Sequence, residues 1–588
     1  MQTTLTNGTT SPAPMTSKPP VQAKLLRREG PATLSRVRDL NVLCVEGDFR
    51  EMGRQHGALL RDEIARGPIV YYRGFLEKLL GAGRKTSLGP LAVTLLQKTI
   101  GGRVAKAMPA FAVDTIRGLS EGSGIPYETF LEGCTMPDSL LWVASRMMQA
   151  KAPGPAVIHR MSLGLGCTSA IAWGKATADG KLYHARNFDY HGVEAWPSTQ
   201  TVIFHKPAQG MRYVSIAAAG VGLGGATAMN EAGLSLTVHQ HMFTQKSRLG
   251  GTPIGTMGDV VMREARTLAD AERILAAQRP IGCWTYLVTS GHEKGVLAWE
   301  ENPDRQAPRR TTPDDTTFGY ANIYLDPELG RTEEDLYPSY WRHNHGRHTR
   351  ANELLRAGAA QGHDARSMAA ILADEGPSSC RVRTAIAFVL TVGSTVFRPE
   401  DGVFWVGSGV APTSQGTWVP FELGRAAHAP EHGELDVANH DDPAAVAAYE
   451  HYRRAYIGYV DDCDTKKALR HVAQAAELAP RQPLYHLTLG LLALQAGDAR
   501  TAIRAFEAAL ALGHEDEERR SSMHLWHARA LDVDGRRDAA VGAYRSALGL
   551  RADDGVRAAA KRGMRRAYRQ EKASRYSVDI ALADVVAP

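Results

Sequence analysis

The sequence predicts an α+β layered domain followed by an all-α domain. Three observations carry this: helical spacing from about residue 55 to 150, alternating apolar runs from Cys167 to about 420, and a self-similar helical final third. At 588 residues the chain exceeds the size at which one hydrophobic core keeps growing, so at least two domains are expected. Hydrophobic residues make up 44% and charged residues 22%, which is ordinary for a globular protein. The net charge of +6 is modest, and the arginines are spread through helix-like segments and not gathered in a stripe with interleaved aromatics. No nucleic-acid partner is expected. The most apolar window, SIAAAGVGLGGATAM, is too short and too Gly-rich to span a bilayer, so no membrane partner is expected either.

The elements follow in order. Residues 1–30 read as a disordered leader: MQTTLTNGTTSPAPMTSKPPVQAK is rich in Thr, Pro and Ser and lacks the apolar core of a secretion signal, so cytoplasmic residence is expected. Residues 31–166 read as a helical part, with Met52, His56, Leu59 and Leu60, then Ile69, Tyr72, Phe75 and Leu79, recurring at three or four. From 167 to 423 the alternating runs are joined by ADGK, NEAG, GHEKG and RPEDG, which predict hairpins. Helices over Thr256–Ala277, Trp341–Ala359 and Ala365–Ala373 interrupt them. Residues 424–445 are polar and read as a linker, 446–570 as the repeat domain and 571–588 as a tail.

In KKALRHVAQAAELAP, ARTAIRAFEAALALG and RDAAVGAYRSALGL, Ala468, Ala502 and Ala540 head equivalent helices. Val472, Phe506 and Tyr544 stand four further on, and Ala475, Ala509 and Ala547 three beyond those. The period of about 34 to 38 residues, with LGLLALQAGD supplying a turn, resembles the tetratricopeptide repeat family, which implies a concave face able to hold a protein partner or a peptide tail.

Six cysteines, Cys44, Cys134, Cys167, Cys283, Cys380 and Cys463, lie far apart with no Cys-x-x-Cys pair, so any cysteine that matters acts alone. Cys134 sits in a helically spaced segment and reads as a buried small hydrophobe. Gly118-Leu-Ser120-Glu-Gly122 fits the nucleophile-elbow pattern without its strand-turn-helix context, and Gly220-Val-Gly222-Leu-Gly-Gly225 is followed by a strand where a nucleotide site needs a helix. His239 and His241, and His343, His345 and His348, lack nearby ligands at metal spacing, so no metal and no cofactor is expected. Cys167 differs. In GLGCTSAIAWG it leads a strand, and the return strand LYHARNFDY brings Arg186 and Asp189 back toward the sulfur. A cysteine made N-terminal by cleavage carries its own base, because an α-amino group titrates near 8 and a thiol near 8.5. A carboxylate can fix that amine and an arginine favours the thiolate.

GCTSAIAW followed by HARNFDY resembles the N-terminal-nucleophile hydrolases of the acyl-coenzyme A:6-aminopenicillanic acid acyltransferase type, peptidase family C45, and more distantly acid ceramidase, N-acylethanolamine amidase and choloylglycine hydrolases. CVEGDFREMGRQHGALLRDEI, GLSEGSGIPYETFL, MNEAGLSLTV, WTYLVTSGHEKGVLAWE, YANIY, GRHTRANELL and FWVGSGVAPTSQGTWVPFEL follow in the family's order, over roughly residues 40 to 421. The resemblance implies an αββα four-layer sandwich, self-processing at Gly166-Cys167, and cleavage or transfer of a linear amide's acyl group through a thioester on Cys167. It further implies that Asp189 and Arg186 orient the nucleophile, that Asn322 is the oxyanion donor, and that Asn230 is a supporting turn asparagine. A second backbone donor falls at His239 or Gln240, where the family carries asparagine. The family's helix arginine corresponds to Arg347 or Arg350, with Arg347 preferred. The substrate is then a small-molecule amide or acyl compound. The alternative from a different class is a catalytically inert adaptor that binds a protein through its repeats.

Overall fold

The computed structural model describes residues 21–80, 88–149, 166–241, 244–334, 338–376, 384–438 and 442–585. Its strands, in chain order, are β1 Lys24–Glu29, β2 Ala32–Val37, β3 Leu40–Gly47, β4 Gly166–Ala172, β5 Tyr183–Asp189, β6 Gln200–Pro207, β7 Tyr213–Ala218, β8 Thr227–Asn230 and β9 Leu234–Gln240. They continue as β10 Trp284–Ser290, β11 Gly295–Asn302, β12 Arg305–Arg310, β13 Thr317–Tyr320, β14 Thr391–Arg398, β15 Val403–Gly407, β16 Trp418–Glu422 and β17 Ala427–His428. One sheet of ten strands runs β1-β2-β3-β6-β7-β8-β9-β10-β11-β12, one of seven runs β13-β4-β5-β14-β15-β16-β17, and near the C-terminus β18 Val578–Asp579 and β19 Asp584–Val585 form a third of two.

The predicted hairpins are present: β4 with β5, β8 with β9, β10 with β11 and β14 with β15 are antiparallel neighbours. Two expectations are corrected at the N-terminus. The leader ends earlier than residue 30, since Lys24–Glu29 is a strand, and the segment expected to be helical from 31 opens with β2 and β3. Alternation in ATLSRV buries Ala32 and Leu34, whereas LNVLCV is buried on both faces, Leu40 and Val42 on one and Leu43 and Val45 on the other, and β3 then pairs parallel to β6, Asn41 opposite Thr201 through Gly47 opposite Pro207. Helices begin at Phe49, where the Asp48 carboxylate accepts from the Glu51 amide.

The sheets stack face to face. Val42, Val202, Phe204, Val214 and Met229 from the larger meet Phe397, Phe404, Val406 and Phe421 from the smaller. Helices Phe49–Leu59, Ile254–Glu264 and Leu268–Ala276 cover the larger sheet, and Pro338–Gly358 and Ala365–Leu372 cover the smaller. The arrangement is a mixed α+β fold consistent with an Ntn-type sandwich. Helices Phe49–Leu59 and Ala110–Ser123 pack backbone against backbone: a Cβ at Gly53, Gly57, Gly118 or Gly122 would overlap a main-chain carbonyl of the other helix. Gly118-Leu-Ser120-Glu-Gly122 is thus a packing surface, and the Ser120 hydroxyl donates to the Ile125 carbonyl at 2.8 Å.

The linker is also shorter than 424–445, because β17 pairs with β16 and Leu435 bridges Trp418. Among the described residues seven long helices follow, Pro443–Tyr456, Thr465–Leu478, Pro483–Ala496, Ala499–Leu512, Glu517–Val533, Arg537–Leu548 and Asp554–Arg565, and then the single turn Gln570–Ala573. Each packs chiefly on its sequence neighbours. Ala468, Ala502 and Ala540, with Val472, Phe506 and Tyr544, are buried at their seams. Residues 571–585 are not a free tail, since Val578, Ile580, Leu582 and Val585 are buried against the array. Among the described residues no helix is long and apolar enough to cross a membrane.

Candidate functional site

The β4–β5 hairpin builds the site. Gly166 stands opposite Asp189, Cys167 opposite Phe188 and Ser169 opposite Arg186, so one strand face carries the sulfur and the guanidinium together. Arg186 Nη2 donates to Cys167 Sγ at 3.1 Å and to the Val238 carbonyl at 2.8 Å, while Nη1 donates to the Ala226 carbonyl and Thr227 hydroxyl. The arginine thus ties the nucleophile's strand to the opposite sheet. Burial pushes the Cys167 thiol up, Arg186 pulls it back, and Asp189 adds to the rise.

Helix Pro338–Gly358 brings Arg347 to the same point. Its Nη1 donates to the Cys167 carbonyl at 2.7 Å and to Thr168 Oγ1 at 2.9 Å. Its Nη2 donates to Asn322 Oδ1 at 3.1 Å and to Asn344 Oδ1 at 2.7 Å. Asn322, just after β13, accepts the Cys167 N–H on Oδ1 at 2.6 Å and donates Nδ2 to the Gln240 carbonyl at 2.8 Å. Asp189 Oδ1 accepts from Thr391 at 2.7 Å, whereas its Oδ2 has no hydrogen-bond partner and lies 3.8 Å from Arg347 Nη1. Burial raises Asp189 to about 6 against the pull of Arg347, Thr391 and Arg186. Gly166 fits closely here: a Cβ would stand 2.7 Å from Arg347 Nη2 and 3.3 Å from Asp189 Oδ2.

Cys167, Arg186, Asp189, Asn322 and Arg347 are therefore brought together, with Gly166 among them. Two other named residues are not. Asn230 holds the β8–β9 turn, accepting from the Ala232 and Leu234 amides and donating to the Met262 and Ala265 carbonyls. His239 lies between the sheets, its Nε2 paired with Ser169 Oγ at 3.0 Å, and burial pushes it well below its ordinary value. Arg350 pairs with Asp374 at 2.8 Å and leaves the site to Arg347. His241 contacts Glu333, and His343 contacts the Ala385 carbonyl. Asn344 and Thr391 were missed in the sequence. Asn344 precedes Arg347 by one helical turn and was findable by that spacing, while nothing local marks Thr391.

A cavity of about 170 Å³ opens beside Cys167, Arg186, Asp189 and Asn322. Its other walls include Ile69, Tyr72, Phe188, Tyr190, Trp196 and Trp284. Cys134 lines it as well and is only half-buried, which corrects the expectation of a fully packed residue; burial pushes its thiol up to about 12.

Residues 176–409 match the sequence model of the acyl-coenzyme A:6-aminopenicillanic acid acyl-transferase family. The acyl-transferase match takes in Arg186, Asp189, Asn322 and Arg347 and begins shortly after Cys167. It supports that family for the layered domain and stops before the helical array. A protein of Archaeoglobus fulgidus described as uncharacterized is 24% identical over 328 residues, 51% of this chain and 53% of its own. The chain thus spans about half the length of that relative.

Proposed function

We propose that the layered domain is a self-processing cysteine amidase or acyltransferase of the N-terminal-nucleophile kind. Acyl transfer or amide hydrolysis in general is what the acyl-transferase match suggests. The observation that carries the finer reading is the Gly166–Cys167 peptide itself. It is enclosed by Arg347, Asn322 and the unpartnered Asp189 oxygen, with Arg186 on the sulfur.

In the precursor, Cys167 Sγ attacks the Gly166 carbonyl carbon, the thiol proton passes to the Cys167 nitrogen as the peptide C–N bond breaks, and water hydrolyses the resulting thioester to leave a free α-amine on Cys167 and a carboxylate on Gly166. Asp189 Oδ2, which has no hydrogen-bond partner beside Gly166, is the acceptor we assign to that amine. The amine then takes the thiol proton, the thiolate attacks a substrate amide, and the proton leaves with the departing amine as the acyl thioester forms. The Asn322 amide, released from the Gln240 carbonyl, supplies the donor to the oxyanion, and water or a second amine takes the acyl group. Arg186 and Asp189 are the charged groups in the cavity wall, so the acyl part bound there is predominantly apolar.

The C-terminal helices read as tetratricopeptide repeats, and a cytoplasmic setting suits the free state of the five described cysteines; Cys380 lies outside the described residues. The test is intact mass and a denaturing gel on the purified protein beside Cys167→Ala. Self-processing divides the 63.8 kDa chain into pieces of roughly 18 and 46 kDa by length, the larger beginning at Cys167, and leaves the variant whole. An uncut wild type that a thiol-reactive acyl analogue fails to label at Cys167 sinks this reading and favours the adaptor.

A further inference from the structure

The inner side of the helical array is occupied. The helices touching the chain's last described residues are the first, third and fifth of the seven, Pro443–Tyr456, Pro483–Ala496 and Glu517–Val533, which line one face of a stack of helical hairpins. Across this face runs Tyr576–Val585. Its main chain is held by side chains of the array: Gln495 Nε2 donates to the Tyr576 carbonyl at 2.5 Å, and the Val578 amide donates to Tyr459 at 3.1 Å. The Tyr452 hydroxyl donates to the Ile580 carbonyl. Arg519 donates to the Leu582 and Ala583 carbonyls at 2.6 and 3.1 Å and pairs with the Asp584 carboxylate at 3.1 Å. Tyr576 packs on Trp526 with ring centroids 4.8 Å apart, and Val578, Ile580, Ala581, Leu582 and Val585 are each at most 3% exposed.

Side chains that reach the carbonyls and amides of a segment whose consecutive residues Val578 to Ala583 are all buried are the chemistry of peptide recognition. We propose that the inner face of the array is a peptide-binding groove and that Tyr576–Val585 is its resident ligand, supplied in cis. The peptide chemistry it takes is a short apolar hairpin, Val578–Asp579 paired antiparallel with Asp584–Val585, whose Asp579 carboxylate accepts from its own Leu582 amide and whose Asp584 carboxylate stands opposite Arg519. Tethering gives the segment an effective concentration of order 1 mM. An external peptide therefore meets a closed groove unless it binds far more tightly than the resident one.

The experiment uses a fluorescent synthetic peptide of residues 575–588 and reads anisotropy, independently of any catalytic activity. The chain truncated after Ser574 should bind it with an affinity of about 1 μM, and the full chain roughly 1000-fold more weakly, as an effective concentration of about 1 mM dictates. Arg519→Met in the truncated chain should cost at least tenfold. A truncated chain that keeps its helical circular dichroism and cooperative melting yet binds no peptide overturns the proposal. Should truncation unfold the array, a protease site inserted between Ser574 and Tyr576 of the full chain decides it. After cleavage the released segment co-elutes with the protein on size exclusion and exchanges with excess labelled peptide. Irreversible loss of the segment, or retention without exchange, refutes a ligand-like role.

Discussion

Arg347 and Asp189 face each other across 3.8 Å with both side chains fully shielded from solvent, and the Gly166–Cys167 peptide lies against them. Removing one member of such a pair strands the other as a buried charge, which costs about 3–5 kcal/mol. Arg347→Met is accordingly expected to lose that much stability in denaturant unfolding and to stay uncut. Arg347→Lys should recover part of the stability but not the cleavage, because one ammonium cannot serve the Cys167 carbonyl and Asn322 together. Wild-type stability in the Met variant would show that the pair contributes nothing.

Gly166→Ala is expected to fold and to process at least tenfold more slowly. Its methyl would meet Arg347 Nη2 at 2.7 Å, so the guanidinium has to give way and the scissile peptide loses its alignment, a displacement of the size that costs roughly 100-fold in positioned reactions. A gel time course after renaturation reads the rate, and an unchanged rate would mean that the close approach is not used.

Processing should also depend on pH through Asp189. Its acid is raised from 3.8 to about 6, so the carboxylate that holds the new amine is present above about 6 and lost below it. The rate is expected to climb through that value, and Asp189→Asn to be slow with no inflection there.

Asp138 offers a stability test free of the active-site chemistry. It is fully buried in helix Tyr127–Gln149, accepts from the Ile254 amide, and burial raises it from 3.8 to about 7. A raised acid contributes stability that is fully present below 3.8 and lost as pH rises through about 7. At 1.36 kcal/mol per unit the whole effect is at most about 4 kcal/mol. Asp138→Asn should therefore gain on the wild type as pH goes from 4 to 8. The buried histidines His184, His191 and His205, each lowered to about 3, pull the other way below 6.5 in both proteins, so the difference between the melting curves isolates Asp138. A difference independent of pH refutes the assignment.

Much of this geometry was legible in residue order, because hairpins are local. The ADGK turn and strict alternation place Arg186 two pairs along from Cys167 on the same strand face, and helical spacing finds the glycine seams at Gly53, Gly57, Gly118 and Gly122 only once both helices are known to meet. What stayed hidden depends on distant pairing. The match of β3 to β6 joins residues some 160 apart with no turn signal between them. Thr391 reaches Asp189 from another strand across 202 positions. The C-terminal segment looked like a tail because few apolar residues in SVDIALADVV follow a helical period; their partners are aromatic and arginine side chains of three helices far earlier in the chain.

The parallel ladder between β3 and β6 has a consequence for what a cut after Gly166 would produce. The shorter piece would keep β1–β3 and the longer β6, yet seven consecutive residue pairs, Asn41 with Thr201 to Gly47 with Pro207, belong to both. Neither fragment owns a closed sheet edge at that seam, so each is the other's missing neighbour. The mature particle would be an obligate heterodimer encoded by a single reading frame, with a native mass equal to that of its precursor.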